Sequence, residues 1–284
     1  MNRQNIQEDT HFFIDNAPPE EVKYVLRVLS AGVGLTPKEI ADSLKSNYGF
    51  EMQDDKTYSP RRLFDLGLAI QSREGGKTKY RLTERGVKLQ NILDTDSALA
   101  VDLLHYLHYT GYIGAPHDRK YLWSYRRCCE IIWTSMRKIN TSTLATQIQS
   151  EMREEFPQLD YGARQGSRFN STGVSRVYRW LRELNPSPLD EKIGMSLLPR
   201  IAERYELAIL ALDYIYQSRG YTYGDPVIMD DNFIQQVAGV FFLDTECCRR
   251  LLLIGARVTQ SVKLRDTLAG SSINLLKPFR IENL

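Results

Sequence analysis

A change of hydrophobic period near Gly67 constrains this chain more than any other feature. Before it, apolar residues recur at helical spacing; after it, they alternate. Thr36-Pro37-Lys38-Glu39 opens the upstream segment. Thr36 fits an N-cap, Pro37 the first helical position, and Glu39 completes a capping box. Ile40, Ala41 and Leu44 form the buried face of that helix. Ser59-Pro60 repeats the start signal and Gly67 supplies the stop. Leu63 and Leu66 then face a core, with Arg61, Arg62 and Asp65 outward. Residues 68–73 and 77–82 read as strands joined at Glu74-Gly75-Gly76, a hairpin turn signal. In the second strand Thr78, Tyr80 and Leu82 share one face and Lys77, Lys79 and Arg81 the other. One helix precedes this block, with Val22, Val25, Leu26 and Leu29 at helical spacing behind Glu20-Glu21. Another follows from Thr83, with Val87, Leu89, Ile92 and Leu93 as its apolar positions.

The order helix, helix, helix, basic hairpin, helix over residues 19–94 resembles the winged helix-turn-helix superfamily. Leu63-Phe64-Asp65-Leu66-Gly67-Leu68-Ala69-Ile70, followed by Tyr80-Arg81-Leu82-Thr83, is similar to that superfamily's passage from recognition helix to wing. The resemblance implies that residues 59–66 enter a major groove and that the 71–79 hairpin rides on adjacent backbone. Arg61 and Arg62 are then the candidates for base or phosphate contact, and Arg73, Lys77 and Lys79 for phosphate neutralisation around the wing. Winged helices also serve protein contacts alone, so an adaptor stands beside the DNA binder.

Net charge is only +2, from 37 Lys+Arg against 35 Asp+Glu. That near-neutrality is a cancellation between segments. Residues 56–93 hold nine bases and three acids, residues 119–138 six bases and one acid, and residues 161–182 five arginines and no acid. Residues 183–246 hold eleven acids and four bases. Segregated positive charge is the electrostatic footprint of a nucleic-acid partner.

The third basic segment carries a second helix-turn-helix-like arrangement. Thr141-Ser142-Thr143 caps a helix with Leu144, Ile148 and Met152, and Pro157 ends it. A loop rich in Gly and Arg follows, and then Asn170-Ser171 caps a helix over 172–184. Val174, Val177, Leu181 and Leu184 form its buried stripe, with Arg176, Arg179 and Arg182 on another. Arg164, Arg168, Arg176 and Arg179 are the candidate phosphate-binding residues here, and no wing is evident. Residues 121–136 read as an aromatic core helix. Residues 193–217, 233–242 and 246–258 read as helices of a C-terminal packing or assembly module that offers itself to protein partners.

The fold class expected is therefore mainly α with a small β-hairpin wing. The expected units are a winged helix over 1–95, a helical unit with the second helix-turn-helix over 96–190, and a helical module over 191–284. No nucleotide-binding, nucleophile-elbow, metalloprotease or C-x-x-C motif is present. Asp54-Asp55-Lys56 and Asp190-Glu191-Lys192 have nuclease-like spacing but lie outside any strand with a partner acid. His105, His108 and His117 lack acidic or cysteine ligands at helical spacing, and Cys128-Cys129 and Cys247-Cys248 sit in apolar surroundings. No cofactor, metal or enzymatic activity is expected. The lack of a long apolar run implies a protein without membrane spans, read as cytoplasmic. An oligomer is compatible with the sequence.

In layout, residues 20–190 are similar to a family of uncharacterised bacterial proteins encoded with DNA phosphorothioation and other phage-defence genes. The similarity rests on the winged helix, the Leu103-Leu104-His105-Tyr106-Leu107-His108 helix, the aromatic helix, and Asn170-Ser171-Thr172-Gly173-Val174. It points to host defence or to DNA modification and restriction. The winged-helix resemblance, the segregated charge and the absence of catalytic motifs together give the reading of a non-enzymatic, double-stranded-DNA-binding protein. Such a protein would act as a transcription regulator or as the recognition subunit of an antiviral defence or modification system.

Overall fold

At Gly75-Gly76 the backbone takes φ values of 56° and 77°, a left-handed pair that glycine adopts without a steric cost. Glu74 and Lys77 flank it as the last paired residues of an antiparallel hairpin, so the two-residue turn and the strand twist agree. The structure is a computed structural model that describes residues 12, 14, 17–52, 57–114, 119–135, 140–158, 169–190, 196–267 and 270–284. Among them the chain is mainly helical, with three small antiparallel sheets.

The first unit runs α1 (Pro19–Val28), α2 (Pro37–Tyr48), α3 (Tyr58–Asp65), β1 (Ala69–Glu74), β2 (Lys77–Leu82) and α4 (Glu84–Thr95). The capping box of α2 forms: Thr36 N–H donates to Glu39 Oε2 at 2.7 Å, and Thr36 Oγ1 accepts from Glu39 N–H at 3.3 Å. Val22, Val25, Ile40, Leu44, Leu63, Tyr80, Leu82 and Leu89 are buried together. Leu35 bridges Tyr80 by two backbone hydrogen bonds of 2.8 and 2.9 Å, which makes β2 the central member of a three-member sheet. Helix α3 starts one residue before the expected cap. Ser59 is therefore helical and buried, and its hydroxyl donates to Glu21 Oε1 at 2.5 Å instead of capping. Pro60 still falls in the first turn, where a missing N–H costs nothing. Gly86, in the first turn of α4, lies so close to the Leu68 carbonyl that a Cβ there would sit 2.0 Å from its oxygen.

Helix α5 (Ser97–Gly114) is the centre of the molecule. Every residue from 99 to 109 is buried, because α4, α6 (Lys120–Ser135) and α9 (Tyr205–Arg219) pack around it. Polar groups inside this shell are partly matched, although His108 Nε2 and Ser124 Oγ are buried without a hydrogen-bond partner among the described residues. His105 Nε2 donates to the Val240 carbonyl at 2.8 Å, which leaves Nδ1 to accept the Tyr125 hydroxyl, also at 2.8 Å. His108 Nδ1 donates to the Leu104 carbonyl, and its ring packs 4.4 Å from Trp180. Asp102 meets Arg200 at 2.7 Å, both out of solvent. Trp123, Tyr125 and Trp133 of α6 are core residues, as are all four cysteines.

The second unit adds α7 (Thr141–Glu155), α8 (Ser171–Arg182) and the hairpin β3 (Leu189–Asp190) with β4 (Ser196–Leu197). Asn140, rather than Thr141-Ser142-Thr143, caps α7 by accepting from Ser142 N–H at 2.9 Å. Asn170 caps α8 as expected. No wing is evident in the sequence after α8; the structure places a two-residue antiparallel pair, β3–β4, there.

The expectation of a purely helical C-terminal module is also corrected. Residues 196–204 are not helical. Pro199 disfavours helix for the residue before it. Arg200 N–H donates to the Phe242 carbonyl at 2.7 Å, while its own carbonyl accepts from Asp244 N–H at 2.8 Å. After α9 come β5 (Val227–Ile228), α10 (Asp231–Gly239), α11 (Thr245–Val258), β6 (Val262–Thr267) and β7 (Gly270–Leu275), with strand order β5-β7-β6. Asp230 and Asp244 cap α10 and α11. The order helix, short strand, helix, helix, hairpin thus occurs at both ends of the chain. In both cases the last strand of the hairpin lies in the middle of the sheet.

Candidate nucleic-acid interface

Helix α3 and the β1–β2 hairpin carry the first set of candidate residues, and the fold divides that set. Ser59, Arg62, Leu63 and Leu66 share the buried stripe of α3, at spacings of three and four. Arg62 is therefore only 2% exposed, and the expectation that it faces a groove is wrong. Its guanidinium lies over the Tyr121 ring of α6, 4.1 Å from the centroid. Asp65, also expected outside, is buried and accepts the Tyr121 hydroxyl at 3.0 Å. Burial pushes the Asp65 carboxyl above the usual carboxylate range, against the pull of Arg62 and Arg61. Arg119, just before α6, donates to the Asp65 carbonyl. The inward side of α3 is thus a bracket to α6.

Arg61, one residue round the helix, is exposed. It lines a cavity of about 560 Å3 between α3 and the hairpin, shared with Phe64, Gln71, Tyr80 and Arg119. Arg73 and Lys77 are exposed near the hairpin tip, and Arg81 is exposed further along β2. Among the described residues Arg61, Arg73, Lys77 and Arg81 form no ion pair. Lys79 differs: it is half-buried and meets Glu74 at 2.9 Å. That hydrogen bond raises the Lys79 pKa and lowers that of Glu74, so much of the Lys79 charge is already answered within the hairpin. Arg81 was not among the candidate residues; its alternation with Tyr80 and Leu82 is the signal that places it outside.

In the second unit Arg164 and Arg168 lie outside the described residues. Arg176 is half-buried and its Nη1 donates to the Ile14 carbonyl, which corrects its assignment to an open phosphate-binding face. Arg179 is exposed on α8. The basic segment at 119–138 turns largely inward where described. Lys120 is buried, Arg126 meets Glu130 at 3.5 Å, and Arg127 pairs with both Glu130 and Glu151. The side-chain hydrogen bonds that Arg127 donates to Glu151 are the main reason its pKa is raised.

Among the described residues no group of three His, Cys, Asp or Glu side chains converges as a metal site. His117 lies outside them, as do Asp54, Asp55, Lys56, Glu191 and Lys192. No described helix is long and apolar enough to cross a membrane. No family model, curated protein or solved structure matches the chain.

Proposed function

We propose that the chain is a non-enzymatic, double-stranded-DNA-binding protein whose first unit is a winged helix, with α3 as recognition helix and β1–β2 as wing. The observation that carries this reading is the shared exposure of Arg61 on α3 with Arg73, Lys77 and Arg81 on the hairpin. An exposed helix arginine beside a basic hairpin suits a groove and its flanking phosphates. The second unit, with α8 followed by β3–β4, is a further winged-helix candidate that carries the exposed Arg179. The biological setting that best suits such a chain is transcription regulation or the recognition subunit of a bacterial defence or modification system.

A protein-adaptor reading has one observation of its own. Leu198 and Ile201, just after β4, are 56% and 66% exposed. Fluorescence anisotropy with a random-sequence duplex at two salt concentrations separates the two. Tight, salt-sensitive binding supports the DNA reading. No binding by the full chain at low salt overturns it in favour of the adaptor.

A further inference from the structure

The C-terminal unit repeats the chain order and sheet order of the first, and its outward face has the same charge. Helix α11 buries Cys247, Cys248, Leu251, Leu252 and Gly255. Arg250, Leu253 and Arg257 occupy the opposite side, spaced by three, four and seven residues, so they share one exposed stripe. The hairpin adds further exposed bases. Val262 is buried and Leu264 half-buried, while Lys263 and Arg265 alternate with them and are exposed. From residue 247 to 265 the sequence holds five bases and no acid. Arg249, the fifth base, is held on α10 by Asp231 at 2.9 Å and by the Met229 carbonyl at 3.1 Å. Among the described residues no acid pairs with Arg250, Arg257, Lys263 or Arg265. The nearest acid on the helix face is the exposed Glu246, one turn before Arg250, and it lies 3.9 Å from Arg249.

We infer that this face is a second duplex-binding surface, with α11 directed at a groove and Lys263 and Arg265 at the phosphates beside it. The inference rests on the DNA-binding reading of the first unit and deepens it. Bases exposed on a helix and on the hairpin that follows it, with no acid paired to them among the described residues, suit a polyanion. The two exposed apolar residues beside it, Leu253 and Val258, are of the kind that meets thymine methyls. A protein partner would need complementary acids on a surface of the same shape, and the test reads that outcome separately.

The experiment measures the dissociation constant of the full chain for a fluorescent random-sequence duplex of about thirty base pairs, titrated from low to moderate salt. Three proteins are compared: wild type, the quadruple variant Arg250→Gln/Arg257→Gln/Lys263→Gln/Arg265→Gln, and the hairpin pair Lys263→Gln/Arg265→Gln. Each phosphate contact contributes about 0.9 to the slope of log affinity against log salt. The quadruple variant should lower that slope by about 3.6 and weaken binding at least about tenfold, and the hairpin pair should lower it by about 1.8. A quadruple or paired variant with wild-type slope and affinity overturns this inference alone and leaves the surface to a protein partner. A wild-type chain that does not bind the duplex overturns the underlying DNA reading as well. The pair, which changes only exposed hairpin residues, keeps the test decisive if the quadruple variant melts early by circular dichroism.

Discussion

The guanidinium of Arg62 stacks on the Tyr121 ring at 4.1 Å, while its neighbour Arg61 stands in solvent. Two adjacent arginines on one short helix are therefore placed oppositely: one holds α3 to α6, the other faces solvent, where the proposed duplex would meet it. Arg62→Ala should destabilise the chain by about 2–4 kcal/mol, through a cavity and a lost cation–π contact. Arg61→Ala should change stability by less than about 0.5 kcal/mol yet weaken duplex binding. Urea denaturation of the two variants decides it, and equal midpoints would sink the division.

Within the hairpin the lysines should also separate. Lys79 already meets Glu74, so neutralising it removes little net attraction for DNA. Lys77→Ala should lower the salt slope of duplex binding by about 1, and Lys79→Ala by clearly less. Salt titrations that give the two variants the same slope change would argue against the internal pairing.

The buried imidazoles predict acid sensitivity. Burial holds His105 at a pKa of about 4, against an ordinary value near 6.5, and shifts His108 in the same direction. The unfolded chain binds more protons than the folded one between those values. Stability therefore falls as pH drops through that window and is retained above it. For His105 alone the loss is on the order of 3 kcal/mol. His105→Gln preserves a donor for the Val240 carbonyl and an acceptor for Tyr125, and removes the titration. Its stability should be flatter between pH 6.5 and 4, as followed by thermal melts across that range.

Gly86→Ala tests a close approach that no hydrophobic pattern reveals. The added Cβ would meet the Leu68 oxygen at 2.0 Å, so α4 must move off the hairpin. A loss of about 2 kcal/mol or more is expected. An unchanged denaturation midpoint would show that this junction yields freely.

Asp102 and Arg200 form a pair with almost no solvent contact, joining α5 to the segment before α9. Asp102→Ala strands the arginine charge and should cost about 3–5 kcal/mol, measured by chemical denaturation. Replacing both partners together should cost less than Asp102→Ala alone, because no unmatched charge is left inside.

The N-terminal fold was legible because its signals are local: a capping box at Thr36, paired glycines at 75 and 76, and alternation through Tyr80 and Leu82. Arg62 was not legible, because the stripe it belongs to is half polar. Ser59 and Arg62 are buried by partners, Glu21 and Tyr121, that lie far away in sequence. Strands β3, β4 and β5 have two residues each, too few to show a period. The alternation at Val262 and Leu264 is in the sequence, but it follows directly on the apolar run of α11, which masks it. The helical pattern around Arg200 gives way to a ladder with Phe242 and Asp244, a long-range choice that local sequence does not signal.

Helix α5 is enclosed by neighbours from every part of the chain, and Arg85 of α4 meets Glu282 at 2.7 Å across it all. Arg61 of α3 and the exposed bases of α11 are consequently mounted on a common keel, not strung on linkers. For a duplex that touches both, accommodation falls to the nucleic acid: its pitch and curvature must meet a spacing set by the protein. If the proposed duplex binding holds, such an arrangement would select sites by how readily they bend or twist as well as by the bases presented.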